Sequence, residues 1–453
     1  MEAGTCYYTR ETKLKAEVLE QEPVSEPEPH IIPVTDHHLS RGQFSDASRF
    51  VVDRLADQGY PAYIVGGGVR DLLIGIPPKD FDVATRARPE EVRRLFRRSR
   101  IIGRRFRLVH IYFGSEIVEV ATFRSGTPPE GHNRRNLELS AAGRLLRDNL
   151  YGTEQQDAVR RDFTVNALYF DPRNETIRDW VGGYEDVQNR VIRLIGEPGD
   201  RYREDPVRML RAIRFEVKTG FAIDPGTAKP IRELAKLLAT VPPARLFDEM
   251  TKIFLFGHAR EGFERLVEHH LLKPLFPWTQ EMLVSDQADS VEALITRTLA
   301  ETDAGIQMGA GASLVLPVTV LLWAATRQYV DWHEKEGMDT LAAMHRALAI
   351  LLREQQKHVA IPRRILDQVE SLIVNQVRLE RGVSVPTAAR LLGHPDFAAS
   401  LDFLRLRVES GEAPRALWED WKAFSESSPA PDAEHEAAAP SPRPRRRRPR
   451  RAH

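Results

Sequence analysis

The sequence predicts an α+β protein: a mixed β-sheet head with helices on it, then an all-α neck and body, with disordered segments at both termini. Three observations carry that reading. Apolar runs that read as strands are confined to residues 63–195. From there to residue 424, apolar side chains recur three and four apart, the period of helices packed on a core. The two ends have no period. Residues 1–44 are rich in Glu, Pro, His and Thr, and the chain closes on an Ala-, Pro- and Glu-rich linker and an arginine run. The expected divisions are an arm at 1–44, a head at 45–196, a neck at 197–280, a body at 281–426 and a tail at 427–453.

At 453 residues, 42% hydrophobic and 29% charged, the chain has the make-up of a soluble globular protein of about two to four domains. Its 65 Lys and Arg balance 65 Asp and Glu, so what matters is where the charges fall. A single cysteine, Cys6, excludes an internal disulfide and fits a reducing compartment, here the cytoplasm. The N-terminus lacks the basic-then-apolar pattern of a leader. The longest apolar run, residues 313–325, is too short to span a bilayer and reads as a buried helix. No zinc-ligand spacing is present, and no Ser-His or Cys-His pair is placed for covalent catalysis. The chemistry is expected from carboxylates, arginines and glycines.

In chain order, the first element is a helix over 44–59, with Phe44, Ala47, Val51 and Leu55 on one stripe. Tyr63-Ile-Val then runs into Gly66, Gly67 and Gly68, and an amphipathic stretch with Val69, Leu72 and Leu73 starts at once. That is a strand, a glycine turn and a helix N-terminus. Glycines let backbone N–H groups approach a phosphate, and a helix N-terminus favours its negative charge. Ile76-Pro-Pro ends the helix. A second strand begins at Lys79-Asp-Phe-Asp-Val and carries Asp80 and Asp82, which as i and i+2 point to one face. Side by side, the two carboxylates oppose each other's ionisation. A divalent cation removes the conflict, and magnesium takes carboxylate oxygens together with substrate phosphates. A phosphate-cradling turn followed about ten residues later by a metal-binding Asp-x-Asp outlines a nucleotidyltransferase. Either half alone is an ordinary turn or a solvated strand end; the conjunction is specific. A P-loop is excluded because Gly-x-x-x-x-Gly-Lys-Ser/Thr is absent. A dinucleotide-binding turn is disfavoured because the glycines are contiguous and no acidic residue follows at the ribose-binding distance.

Pro89 opens a further helix with carboxylates in its first turn. Strands follow at 107–113 and 116–123, and the second sets Glu119 between Val118 and Val120. Glu119 is either an edge-strand charge or a third carboxylate beside Asp80 and Asp82. Residues 125–142 form a polar loop next to the site. Within 157–170, Arg160 and Arg161 adjoin Asp162, and Asn166 lies four residues on, one helical turn away. Asp162 and Asn166 are expected to share a face and hold a ribose while an arginine meets the triphosphate. A local ion-pair cluster is the plainer alternative. Residues 179–187 read as a loop leaving the head, and 190–195 as a short closing strand. Asp205-Pro206 has the chemistry of an N-cap followed by proline at N1. Behind it Arg208, Arg211 and Arg214 form a ladder opposite an apolar stripe of Leu210, Ile213 and Val217. Helical stretches over 235–256, 263–272, 290–376 and 388–424 complete the body, with Trp418 and Trp421 in the last. Seven arginines fall within residues 443–451, a polyanion-binding run.

Four motifs in order resemble the polymerase-beta-like nucleotidyltransferase superfamily. They are Gly66-Gly-Gly-Val-Arg-Asp, Lys79-Asp-Phe-Asp, Arg160-Arg-Asp-Phe-Thr-Val-Asn-Ala-Leu and Arg203-Glu-Asp-Pro-Val-Arg-Met-Leu-Arg-Ala. Within the superfamily the match is to the class that joins bacterial poly(A) polymerases and CCA-adding tRNA nucleotidyltransferases. It runs from Tyr63 to Phe276. The resemblance implies a polymerase-beta-like head and two Mg²⁺ or Mn²⁺ ions held by Asp80, Asp82 and Glu119. It implies ATP as substrate, its triphosphate at Gly66 to Gly68 near Arg70 and Arg161. Asp162 counts as a catalytic carboxylate beside Asn166, with metal and ribose binding left open. Asp205 and Arg208 are expected to read the base, Glu204 to steady Arg208, and Arg211 to face the nucleotide. The helices over 235–272 resemble the family's RNA-binding neck.

Two features lean toward poly(A) synthesis. The stretch Ile101-Ile-Gly-Arg-Arg-Phe-Arg-Leu-Val-His-Ile resembles the segment that separates bacterial poly(A) polymerases from CCA-adding enzymes, and the arginine tail suits nonspecific RNA capture. The expected activity is template-independent addition of AMP to RNA 3′ ends of mRNA, decay fragments and tRNA. The expected setting is a cytoplasmic monomer with no membrane span, serving polyadenylation and the RNA-decay machinery. CCA addition is the neighbouring alternative, and a non-catalytic RNA-binding protein is the alternative of another class.

Overall fold

The computed structural model describes residues 28–103, 107–125 and 150–427. Eight strands build one mixed sheet: β1 (His30–Ile32), β2 (Ala62–Val65), β3 (Asp82–Thr85), β4 (Ser99–Ile102), β5 (Leu108–Phe113), β6 (Glu116–Thr122), β7 (Leu168–Asp171) and β8 (Thr176–Asp179). Their spatial order is β1-β8-β7-β2-β3-β6-β5-β4. All neighbours are antiparallel except β3 and β6. That parallel pair organises the site. Val65, the last residue of β2, faces Asp82, the first of β3, and Asp82 faces Glu119 in β6. In β6 the side chains alternate, with Val118 and Val120 buried and Ile117 and Glu119 on the other face.

Helices cover the sheet: α1 (Asp46–Asp57), α2 (Gly67–Leu73), α3 (Pro89–Leu95), α4 (Glu154–Arg160) and α5 (Gly183–Gln188). The α1 helix starts at Ser45, whose side chain accepts from the Ser48 N–H, and buries Ala47, Val51 and Leu55 as the stripe predicted. Phe44 is buried just ahead of it. A small parallel sheet of β9 (Val191–Ile192) and β10 (Ala222–Ile223) straddles α6 (Pro198–Glu204) and α7 (Val207–Thr219). The remaining chain is helical: α8 (Pro225–Ala228), α9 (Ile231–Leu234), α10 (Pro243–Phe254), α11 (Ala259–Glu268), α12 (Leu272–Leu275), α13 (Pro277–Met282), α14 (Ala288–Gln307), α15 (Val315–Lys335), α16 (Thr340–His358), α17 (Arg363–Glu380), α18 (Val385–Leu392), α19 (Phe397–Glu409) and α20 (Arg415–Ser427). Among the described residues no helix is long and apolar enough to cross a membrane, and the apolar run at 313–325 is the buried first half of α15.

One buried core runs without a break from Ile32 in β1 to Leu406 in α19. A smaller cluster, with Leu379, Leu391, Phe397, Leu404 and Trp421, holds the last three helices. Trp421 is buried and its indole N–H donates to the Leu379 carbonyl at 2.9 Å.

Several expectations are corrected. The arm drawn through residue 44 ends sooner: β1 pairs with β8, Ile32 and Leu39 are buried, and a 3₁₀ turn spans Arg41–Gln43. Residues 1–27 lie outside the described residues, as do the arginine tail and all but the first residue of the loop expected at 125–142. The strand carrying the Asp-x-Asp begins only at Asp82, so Asp80 sits ahead of it rather than within it. Asp162 and Asn166 are not on an α-helix: α4 ends at Arg160, and a 3₁₀ turn, Thr164–Asn166, leads into β7. The stretch at 179–187 is not a loop but the end of β8 and most of α5, and β4 is a strand the sequence reading left unassigned. At Asp205 the cap holds to within a residue. The helix is assigned from Val207, and the Asp205 carboxylate accepts from the Val207 N–H at 3.4 Å.

Candidate active site

The turn between β2 and α2 is built from three glycines for two different reasons. Gly66 has φ +76°, where an L side chain is strained, and a Cβ there would lie 3.4 Å from the Arg161 Nη1. Gly68 has no room: a Cβ would meet the Phe81 ring at 2.9 Å and the Asp80 carbonyl oxygen at 3.3 Å. The first turn of α2 and the Asp80–Asp82 approach therefore lie directly on each other. The missing side chain at Gly68 is what lets the two motifs, twelve residues apart in sequence, form one surface.

Three carboxylates converge there. Asp80 and Asp82 open onto the cleft, and strand register sets Glu119 beside Asp82. Packing of protein around Asp82, then the charges of Glu119 and Asp80, push its carboxyl up to about 7, with Arg161 pulling the other way. His110, opposite Glu119 on β5, meets the Glu119 Oε2 at 3.2 Å. Among the described residues no three His, Cys, Asp or Glu side chains close into a metal-ligand group. The carboxylates frame an open, all-oxygen set that leaves room for phosphate oxygens. A hard divalent cation fits such a set, and its charge relieves the repulsion recorded at Asp82.

Behind the carboxylates lies a network of arginines. Arg161 donates to Asp157 Oδ2 at 3.1 Å, to the Tyr169 hydroxyl at 3.1 Å and to the Asn166 carbonyl at 3.2 Å. Burial opposes its charge, but Tyr169 and Asp157 outweigh that and keep it a cation. Arg70 is fully buried, with its guanidinium on Asp71 Oδ1 at 3.0 Å, on the Asn166 side-chain oxygen and 4.8 Å over the Phe215 ring. The Asn166 amide donates to Asp162 Oδ1 at 3.2 Å. The pair foreseen from the four-residue spacing thus meets, through a tight turn instead of a helix face. Burial would raise the Asp162 carboxyl, but Arg211, Asn166 and the Phe163 N–H overcome it and hold it at about 2.

The opposite wall is α7. Arg211 grips Asp162 from Nε at 2.6 Å and reaches Glu249 at 3.6 Å; Arg214 lies 3.2 Å from Glu249. Arg208 Nη1 donates to Glu204 Oε2 and to the Arg201 carbonyl, both at 2.8 Å, so Glu204 does steady Arg208. The Asp205 carboxylate takes Arg245 at 2.9 Å. Lys218, one turn beyond Arg214, holds Asp71 at 2.7 Å.

Together these walls enclose a cleft of about 940 Å³ that all but one of the sequence-predicted site residues line, Glu119 being the exception, set one strand back beside Asp82. The sequence reading missed Lys79, Lys218, Lys252 and Phe256 in its lining, and Glu249 and Arg245 behind it. Lys218 was within reach, since it continues the arginine ladder by one turn. Glu249 and Arg245 had no local signal, because their partners come from α7 and from the cap before it.

The chain matches known proteins over most of its length. A family model described as the poly A polymerase head domain matches residues 62–193. Two more match residues 220–283, a probable RNA and SrmB-binding site of polymerase A, and 336–452, the polymerase A arginine-rich C-terminus. The poly(A) polymerase I of Salmonella typhi is 41% identical over 425 residues, spanning 93% of this chain and 91% of that one. A CCA-adding enzyme of Lactobacillus helveticus is 34% identical over 235 residues, 51% of this chain and 56% of its own. Among solved structures, the Bacillus stearothermophilus CCA-adding enzyme in complex with CTP superposes with TM-score 0.53 at 26% identity, covering 85% of this chain and 82% of that one. Matched from head to tail in this way, the chain belongs to the poly(A) polymerase family of nucleotidyltransferases.

Proposed function

We infer that the protein is a template-independent poly(A) polymerase, transferring AMP from ATP to the 3′-hydroxyl of RNA. The observation that carries this is extent. Sequence likeness to poly(A) polymerase I, at 41% identity, runs over 93% of the chain, body included, whereas sequence likeness to the Lactobacillus helveticus CCA-adding enzyme covers 51%. We assign the chemistry to a head at 45–196, base and RNA contacts to a neck at 197–280, and acceptor capture to a body at 281–426 with the tail. Asp80, Asp82 and Glu119 would hold divalent cations, Mg²⁺ or Mn²⁺. When bound, these supply a Lewis acid for the attacking and leaving oxygens of the displacement. The protein's own part is placement and charge. Gly67 and Gly68 offer backbone N–H groups to the triphosphate, the Gly66 N–H being donated to the Leu168 carbonyl, and Arg161, pinned by Asp157 and Tyr169, presents a fixed cation beside it. Arg70 works from behind, since its guanidinium is spent on Asp71 and Asn166; it orients Asn166, which with Asp162 meets the ribose. Arg211 locks Asp162 to the neck, and Asp205 and Arg208 face the adenine at the N-terminal end of α7.

The test is incorporation by the purified protein with Mg²⁺ on an unstructured RNA and on a tRNA lacking its 3′ end, with ATP, CTP or both. Long A tails on both acceptors are expected. Two C residues and one A on the tRNA alone would make it a CCA-adding enzyme, and no incorporation would leave an RNA-binding protein. Arg208→Ala is expected to narrow the ATP-to-CTP preference by about tenfold, the worth of a hydrogen bond or two; an unchanged ratio removes Arg208 from base reading.

A further inference from the structure

The cleft is longer than one nucleotide needs. Its volume, about 940 Å³, is at the top of the range for a single small-ligand site. The ladder residues Arg208 and Lys218 that line it are ten positions apart on α7, about 15 Å of helix. The base-reading pair sits at the first end. At the other end is a feature the nucleotide reading does not use. Phe256, just beyond α10, is 36% exposed, and of the large apolar side chains left exposed among the described residues it alone lines this cleft. Two residues earlier Phe254 is fully buried, so the exposure of Phe256 is not a matter of a poorly packed segment. The Lys79 ammonium rests over its ring, 4.2 Å from the centroid, and Lys218 stands 6.0 Å away. Lys79 pairs with no carboxylate among the described residues, and it is the immediate neighbour of Asp80. An open aromatic ring beside an uncommitted cation, next to the reacting carboxylates, is the chemistry of a stacked nucleobase with its phosphate gripped alongside.

We propose that Phe256 is the stacking platform for the 3′-terminal base of the RNA acceptor, with Lys79 as the contact for the adjoining phosphate. This rests on the polymerase reading above and adds the acceptor subsite to it. The incoming base displaces the Lys79 ammonium from the ring, and Lys79 turns to the backbone phosphate while the terminal ribose lies toward Asp80 and Asp82. Stacking accepts any base, so the subsite holds an acceptor of any 3′ sequence, while discrimination stays at Asp205 and Arg208.

The experiment uses the full chain and a short oligoadenylate carrying 2-aminopurine as its 3′-terminal base, titrated without ATP. Quenching of that fluorophore on binding is expected, abolished in Phe256→Ala and kept in Phe256→Trp. In steady state Phe256→Ala is expected to raise the KM for RNA about 10- to 100-fold, the usual worth of one base–aromatic stack, with the KM for ATP changed less than about twofold. Arg208→Ala is expected to do the reverse, leaving the quenching intact. Thermal melting of each variant guards against a folding defect, and Phe256→Trp keeps the test valid if the alanine variant unfolds. Unchanged quenching and RNA KM in Phe256→Ala, or a rise in the ATP KM instead, overturns the proposal. If the unsubstituted protein adds no AMP at all, the polymerase reading fails; if it adds AMP but gives no terminal-base quenching, this proposal alone fails.

Discussion

Asp82 stands between two other carboxylates and one guanidinium, so its ionisation is the property of the cleft most sensitive to what is bound there. In metal-free buffer at pH 8 its charge works against the fold. Asp82→Asn is expected to melt at least as high as the parent protein there. Added Mg²⁺ should raise the parent's midpoint and leave the variant's unmoved, while AMP incorporation by the variant falls at least about 10³-fold. Equal Mg²⁺ stabilisation of both would take the metal away from Asp82. Glu216 on α7 is a second strained acid, outside the cleft. Burial, with Glu268 and Glu261 nearby, pushes it up to about 7, and Arg265, 3.8 Å away, offsets this only in part. Its folded pKa lies above the unfolded value, so the folded state holds the extra proton between about pH 4.5 and 7. Stability is therefore lost as pH rises through that window. Glu216→Gln should lack that loss and be the more stable protein at pH 8 by about 1–2 kcal/mol, discounted for partial exposure, as read from urea midpoints at pH 5 and pH 8.

The elements show which parts of the architecture local sequence can announce. The strand, glycine turn and helix from Tyr63 to Leu73 were legible because each carries its own period and its own breaker. So was α7, whose apolar stripe and arginine ladder are both local patterns. The Asp162–Asn166 pair was found through a spacing that fits a helix, yet a 3₁₀ turn makes the contact; two backbone paths bring residues four apart together, and spacing does not choose between them. The arm failed for the opposite reason. β1 is three residues long, and its partner β8 lies about 150 residues away, so no local pattern could mark it. At the far end, Trp421 is the one fully buried side chain of α20, with Leu417, Trp418 and Phe424 packed partly buried around the same cluster. Removing the Trp421 indole deletes the centre of the small C-terminal cluster and a hydrogen bond to Leu379, a loss of about 3–5 kcal/mol. Trp421→Ala should let amides of α20 exchange as freely as unfolded chain while those of α15, in the main core, keep their protection. Uniform loss of protection would mean the two clusters unfold as one.

At the scale of the molecule, the cleft exists because the sheet and α7 are tied by contacts between distant segments, Arg211 to Asp162 and Lys218 to Asp71, while Arg245 on α10 holds Asp205 at the start of α7. The sequence displayed the carboxylates, glycines and arginines of its lining but not Lys218, Lys252 or Phe256, and not these pairings, since opposite charges forty or more positions apart carry no mark of who meets whom. The continuous core from Ile32 to Leu406 packs the sheet and helices as far as α19 around the cleft. Among the described residues the sheet that carries the chemistry has two margins, and β1 lies along one of them. With β1 in place, the row of N–H and C=O groups on β8 is closed off by a strand too short to recruit another. A shortened form beginning after residue 33 would leave that row bare, and an uncovered strand edge is a template for a second molecule. Such a form should appear by light scattering as concentration-dependent dimers and larger species while the longer chain stays dispersed. Where a recombinant start site is set would then decide solubility, although β1 is separated from the site-bearing β2 by β8 and β7.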